Sequence, residues 1–123
     1  LSYGVNTLEP LDLARLIVDV MEDVKAEDIV LLDLRPDTVL ADFFVICTGN
    51  SDRQIRALTE NIRQEIKDRT GKIPFNVEGT PASGWMLMDY SNVVVHVFDD
   101  EVRDFYDIQG LWANVAHVLL SIQ

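Results

Sequence analysis

The stretch Ala41-Asp42-Phe43-Phe44-Val45-Ile46-Cys47-Thr48-Gly49-Asn50-Ser51-Asp52-Arg53-Gln54 decides the architecture of this 123-residue chain. Phe43 to Thr48 is apolar at both alternating positions, the pattern of a strand covered on both faces. Gly49 ends it. Ser51 and Gln54 stand at the S-x-x-Q spacing of a capping box, in which each side chain satisfies a free backbone N–H at a helix start. Ile55, Leu58, Ile62 and Ile66 then recur at helical spacing, and Gly71 suits the left-handed residue just past the last turn. A strand, a tight turn and a helix are thereby predicted in succession.

Upstream, Thr7 is a candidate helix cap, and Leu13, Leu16, Ile17, Val20, Met21 and Val24 follow the spacing of an amphipathic helix, with Pro10 tolerable in its first turn. Leu11 and Val18 lie roughly 140° to 160° around the helix from Leu13, at about 100° per residue. They form either a second, smaller contact face or two scattered surface residues. Ile29 to Leu34, stopped by Pro36, reads as a buried strand. Downstream, Gly71, Pro74, Gly79, Pro81 and Gly84 mark a loop-rich stretch with room for one short strand around Phe75 to Glu78.

Trp85 to Asp89 and Val93 to Phe98 form a hairpin pattern about Tyr90, Ser91 and Asn92, with Asn92 the residue that tolerates positive φ. Val93, Val95 and Val97 share one face of the second strand, and Val94, His96 and Phe98 the other. Asp99, Asp100 and Glu101 place carboxylates at the electropositive start of a helix running through Tyr106. Leu111 to Leu120 is read as a final amphipathic helix carrying His117. The expected architecture is a single domain over residues 1–123, of α/β or α+β class, with a mixed sheet of about five strands flanked by helices.

Composition narrows the functions. Hydrophobic residues make up 48% and charged residues 25%, ordinary globular usage that excludes disorder and collagen-like structure. Lys and Arg number 10 against 21 Asp and Glu, a net charge of −11. Such a field repels phosphate backbones, disfavours broad nucleic-acid binding and attracts a basic protein surface. The single cysteine, Cys47, excludes an intrachain disulfide framework or a Cys-based zinc site and fits a reducing compartment. No run approaches about 18 apolar residues. Because the chain opens at Leu1 and not at Met, some N-terminal sequence is expected to precede it.

Catalytic motifs are sparse. Thr48-Gly49-Asn50-Ser51 joins a strand to a helix whose free N–H groups suit an anion, but neither a Walker lysine nor a three-glycine fingerprint accompanies it, so it reads as structural punctuation. Asp33, Asp37, Asp42, Asp89 and Asp99 fall at or near strand ends, yet no Asp-x-Asp holds a metal pair, and no metal or cofactor is expected. A nucleophile and base pair would have to be Cys47 with His96 or His117. Cys47 reads as an inert small hydrophobe and His96 as a structural histidine or a recognition residue. Charge is more informative, since six of the ten basic residues (Arg53, Arg56, Arg63, Lys67, Arg69 and Lys72) lie between 53 and 72. The acidic residues Asp99, Asp100, Glu101, Asp104 and Asp107 cluster after the hairpin. They read as a solvated face or as a docking rim beside Trp85, Phe98 and Tyr106, aromatic types that anchor interfaces; Trp112 reads as core.

In order and spacing, four blocks resemble the Iojap family, also called the ribosomal silencing factors, from about Leu8 to Trp112. They are Ala41 to Gln54; Glu78-Gly79 with Trp85; Asp89 to His96; and Arg103, Tyr106, Leu111 and Trp112. The resemblance implies a nucleotidyltransferase-like fold without the catalytic carboxylates, and a protein that is not an enzyme. It implies binding to the large ribosomal subunit through a basic protein, ribosomal protein fourteen, with little direct nucleic-acid contact. Steric exclusion of the small subunit then represses translation. Carried over by position, the hairpin and following helix imply partner-binding roles for Trp85, His96, Phe98, Asp99, Asp104 and Tyr106. Two departures from the family pattern are Ser91 at a position usually Gly and Gln109-Gly110 where a Glu usually precedes the Leu-Trp pair. The resemblance further implies a homodimer, for which the spare face of the first helix would serve. It implies residence in the bacterial cytoplasm, or in an organellar stroma or matrix after removal of a transit peptide. The alternative is a nucleotide-binding or nucleotidyltransferase-like enzyme built on the Thr48 to Ser51 turn.

Overall fold

A computed structural model describes residues 8–36 and 39–123; the candidate cap Thr7 and the carboxylate Asp37 lie outside the described residues. The first helix, α1 (Pro10–Asp23), begins with Pro at a position whose N–H needs no partner, and Glu9 at its N-cap makes no side-chain capping bond. It is followed by β1 (Glu27–Asp33), β2 (Phe43–Thr48) and helix α2 (Asp52–Thr70). Then come β3 (Asn76–Thr80), a 3-10 turn (Pro81–Ser83), β4 (Trp85–Asp89) and β5 (Val93–Phe98). Short helices α3 (Asp100–Tyr106) and α4 (Ile108–Leu111) lead into the last strand, β6 (His117–Ile122).

The strands form one mixed sheet of six in the order β3-β4-β5-β2-β1-β6. β2 runs parallel to β5, pairing Phe43 with Val93 through Thr48 with Phe98, and every other neighbouring pair is antiparallel. All six residues of β2 are buried, as its doubly apolar pattern requires. On one face α1 and α2 press Leu13, Ile17, Met21, Ile55, Leu58 and Ile62 onto Ile29, Leu31, Phe43, Val45, Val95 and Val97. The opposite face holds Val30, Leu32, Phe44, Ile46, Val94 and Phe98, covered by Trp85, Leu87, Val102, Ile108, Trp112 and Ala116. The division of β5 into two valine-bearing faces is therefore as its sequence alternation required.

Three sequence-based expectations are corrected. Leu111 to Leu120 is not a helix: its last part is strand β6, which pairs antiparallel with β1 from Ile29–Ile122 to Asp33–His117. Its spacing satisfied both periods, and the open edge of β1 selects the strand, because β1's outward N–H and C=O groups need partners. With this strand the mixed sheet, read from the sequence as about five strands, has six. Secondly, the spare face of α1 is occupied, since Val18 is 3% exposed within the helix-side core and Leu11 packs against that core. Thirdly, positive φ at the hairpin falls on Ser91 (77°) and not on Asn92. The Ser91 N–H donates to Asp89 Oδ1 at 2.7 Å, while the Asn92 carbonyl accepts from the N–H groups of Asp42 and Phe43 and ties the turn to β2.

The turn into α2 closes much as the capping box predicts. Ser51 Oγ accepts from the Gln54 N–H at 3.1 Å, but the Gln54 side-chain Oε1 accepts from the N–H of Asn50, one residue before the cap. At the other end Gly71 takes the left-handed conformation with φ 76°. A second glycine matters more for the site. Gly79 in β3 has φ 90°, and a Cβ there would lie 2.0 Å from the carbonyl oxygen of Trp85. Gly79→Ala is therefore expected to cost about 2 kcal/mol or more by chemical denaturation, through backbone strain and displacement of β3 from β4. A loss below about 0.5 kcal/mol, the range of an ordinary surface change, would contradict this geometry.

Candidate docking face

Trp85 opens β4 directly opposite Phe98 at the end of β5, and Leu87 lies opposite His96. Alternation places these side chains on the sheet face away from α1 and α2. Trp85 stacks on Phe98 with ring centroids 4.9 Å apart and meets Tyr106, from α3, at 4.8 Å. Phe44 contacts His96 edge-on at 4.7 Å, and Trp112 meets Phe44 at 6.1 Å. The result is a continuous aromatic layer, of which only the outer members reach solvent.

Burial divides the anticipated contact residues into surface and support. Phe98 is 0% and His96 3% exposed, so neither offers contact area, and their anticipated place in a contact surface is corrected to a place beneath it. Tyr106 is 50% exposed and Trp85 half-buried. Phe105 and Leu111, which the residue pattern did not mark as contacts, are 80% and 70% exposed. Trp112 is half-buried against the sheet, in keeping with its core reading. A groove of about 250 Å³ opens between Gly79 and Ser83 on one side and Trp85, Leu87, Val102 and Tyr106 on the other.

His96 is a polar group held neutral. The Trp85 indole N–H donates to His96 Nδ1 at 3.2 Å, which requires Nδ1 to be unprotonated and places the proton on Nε2. Nε2 is buried without a hydrogen-bond partner among the described residues. Burial pushes the imidazole pKa down to about 4. The aromatic layer thus stays uncharged at neutral pH.

The acidic residues take two roles. Asp99 caps α3, its Oδ1 accepting from the Val102 N–H at 2.8 Å, and its backbone N–H donates to the Gly84 carbonyl at 2.9 Å. Asp107 likewise caps α4, accepting from the Gly110 N–H at 3.1 Å. Asp100, Glu101 and Asp104 are exposed on α3, with Asp100 and Asp104 on the side of the helix that faces Arg103 and Gln109, whereas Val102 and Tyr106 line the groove together with exposed Glu78. Arg103, for which residue types alone indicated no role, anchors this helix: its guanidinium donates to the Asp28 carbonyl at 2.7 Å and to Thr48 Oγ1 at 2.8 Å. Two further bonds reach Gln109 Oε1, at 2.6 and 3.2 Å. Burial lowers its pKa from the usual arginine value. Asp28 stands at an irregularity of β1 with φ 47°, which presents that carbonyl to Arg103.

No catalytic arrangement assembles from the candidates considered. Cys47 faces the helix-side core, where burial pushes its thiol up to about 12, whereas His96 projects to the opposite face; His117 is exposed on β6. Asp33 is held by Arg35 at 2.9 Å and Asp89 braces Ser91, both at the opposite end of the central strands from Asp99. In the Thr48 to Ser51 turn the Gly49 N–H donates to the Phe98 carbonyl, and the Asn50 N–H to Gln54. Two of the turn's backbone donors are thus used within the protein. Among the described residues no group of three His, Cys, Asp or Glu side chains is placed to hold a metal ion, and no helix is long and apolar enough to cross a membrane.

Residues 7–122 match the family described as "Ribosomal silencing factor during starvation". The chain belongs to the ribosomal silencing factor family. It is 35% identical over 110 residues to the ribosomal silencing factor of Halalkalibacterium halodurans, covering 89% of this chain and 93% of that protein. With its Bacillus subtilis counterpart it shares 39% identity over 93 residues, 76% of this chain and 78% of the other. The crystal structure of a Chromobacterium violaceum protein superposes with a TM-score of 0.81 at 36% identity, covering 86% of this chain and 88% of that one. Silencing-factor membership accounts for the mixed sheet and makes a ribosome-related, regulatory role the frame for the aromatic face.

The buried histidine yields a pH test. Its folded pKa, about 4, lies below the unfolded value of 6.5, so the unfolded chain binds the proton first and stability falls as pH drops from 6.5 toward 4. The loss from this group reaches roughly 3 kcal/mol. Urea denaturation of wild type and His96→Gln across that range is expected to show a slope shallower in the variant by up to one bound proton. Parallel slopes would remove His96 as the cause.

Proposed function

We propose that this chain binds the large ribosomal subunit through its basic ribosomal protein fourteen and sterically prevents the small subunit from joining, repressing translation without catalysing a reaction. The observation that carries this reading is the aromatic groove at Trp85 and Tyr106, lined also by exposed Glu78 and walled by a helix whose other sides expose Asp100, Glu101 and Asp104, on a molecule of net charge −11. An apolar centre with a charged rim is the anatomy of a protein-docking surface, and the sign of that rim suits a lysine- and arginine-rich partner. Trp85 and Tyr106 supply contact area, Asp104 supplies charge, and His96, Phe98 and Asp99 hold the surface in shape. The site of action is the bacterial cytoplasm or an organellar stroma or matrix. A homodimer of this chain would use a surface other than the occupied face of α1.

Co-sedimentation with purified large subunits, followed by light scattering of subunit joining, tests the reading; absence of both binding and inhibition would overturn it. Calorimetric titration with nucleoside triphosphate and Mg²⁺ is expected to give flat heats, and saturable heat would instead favour the enzyme alternative.

Tyr106→Ala and Trp85→Ala are expected to weaken docking by about 1–3 kcal/mol, with circular dichroism reporting that each variant folds. Because Tyr106 is half exposed on a surface helix, it is the cleaner of the two. Asp104→Lys is expected to slow association several-fold at low salt, with the difference fading as ionic strength rises. Equal association rates for wild type and variant at every salt concentration would show that the rim does not steer.

A further inference from the structure

The docking face leaves one sequence feature unused, the concentration of positive charge in α2. At about 100° per residue, Arg53, Arg56, Arg63 and Lys67 fall within roughly 80° of one another, along about 21 Å of helix at 1.5 Å per residue. All four are exposed. Glu60 shares this stripe and pairs with Arg63 at 3.6 Å, but Arg53, Arg56 and Lys67 have no ion-pair partner among the described residues. Arg69 lies on another flank, paired with Glu65 of α2 itself and with Asp23 of α1, so these carboxylates neutralise that side and not the stripe.

Position adds a second observation. A groove of about 190 Å³ lies along the stripe, lined by Glu60, Arg63, Gln64, Lys67, Ile73 and Pro74. From it the chain runs through Ile73 and Phe75, 65% and 82% exposed, into the edge strand β3. α2 also packs on the 3-10 turn whose Ser83 lines the aromatic groove. Basic stripe and aromatic groove therefore share the β3 edge of the molecule, one on each side of the sheet.

We propose that the stripe Arg53, Arg56, Arg63 and Lys67 grips the phosphate backbone of ribosomal RNA beside the protein docking site, as a second contact that engages once the aromatic face is seated. The inference rests on the ribosome-docking reading. With a net charge of −11 the free protein is repelled by RNA at a distance. Within a Debye length of about 8 Å, however, the local stripe decides the sign of the interaction. Guanidinium and ammonium groups at intervals of about one to two helical turns along the stripe, three of the four without an ion-pair partner among the described residues, suit phosphates of one strand, which fix position without reading sequence. The arrangement makes RNA contact conditional on protein docking, so a protein too acidic to bind RNA freely uses it to hold orientation on the ribosome.

The test compares wild type with the combined Arg53→Gln, Arg56→Gln, Arg63→Gln and Lys67→Gln variant. Binding to intact large subunits and to isolated ribosomal protein fourteen is measured across a salt series. On large subunits the variant is expected to bind about tenfold more weakly near 0.1 M salt, with a log-log salt slope shallower by about three, since each of four lost phosphate contacts removes roughly 0.7–0.9. Its affinity for the isolated ribosomal protein is expected to be unchanged. The double variant Arg56→Gln and Lys67→Gln, which leaves the Glu60 pair intact, should move in the same direction by about threefold. Equal affinity and slope on large subunits would overturn the proposal. So would a parallel loss on the isolated protein, which assigns the stripe to a protein partner, or a loss of self-association, which assigns it to a second copy. Failure of wild type to bind large subunits at all would instead defeat the docking reading beneath it.

Discussion

A strand buried on both faces needs cover on both faces, and β2 imposes that demand on the whole molecule. All six of its residues are buried. Helices α1 and α2 meet the demand on one side with long apolar stripes. On the other side the available cover is only two short helices and a set of aromatic residues. The layer that seals Phe44, Ile46 and Phe98 from water is thus also the layer that Trp85 and Tyr106 present outward. The same side chains that seal the core would form the proposed docking surface, on what is otherwise the thinner half of the core.

Two polar groups make that thin layer specific. His96 places a hydrogen-bond acceptor under the indole of Trp85, 3.2 Å from its N–H, and keeps the acceptor available by staying neutral. Arg103 does the opposite: it remains a cation and ties α3 to the β1 bulge, to the end of β2 and to α4 through four hydrogen bonds. One sets the angle of the central aromatic ring; the other sets the position of the helix that carries Tyr106 and Asp104. A buried donor or acceptor without its partner is costly, so each restrains its neighbours more tightly than apolar packing alone would.

Charge then distinguishes the two sides of the sheet. Glu78 lines the aromatic groove and the carboxylates of α3 lie on the same side of the sheet, while the free cations of α2 flank the opposite helix layer and reach the same β3 edge. In the proposed reading, a body rich in both basic protein and RNA phosphate, as a ribosome is, would meet complementary surfaces at that edge. Membership of the ribosomal silencing factors gives the separation of charge a setting, since net charge alone would have argued only for avoidance of nucleic acid.

Much of the fold was legible because its signals are local. Phe43 to Thr48 with Gly49, Ser51 and Gln54 determined a buried strand, a capped turn and a helix, since alternation, caps and helical period act over a few residues. The resemblance of four separated blocks likewise pointed to the family before any contact was known. Other features waited for tertiary structure. Leu111 to Leu120 fits two periods, and the unpaired edge of β1, some eighty positions earlier, chose the strand. Phe98, among the residues anticipated as contact surface, has none to offer, because its exposure depends on Trp85, Tyr106 and α3 arriving from elsewhere in the chain. Sequence by itself determined which residues must leave water and where helices begin; only the folded chain decided which aromatic rings stayed outside and which polar groups their burial enclosed, because burial is set by neighbours that are distant in sequence.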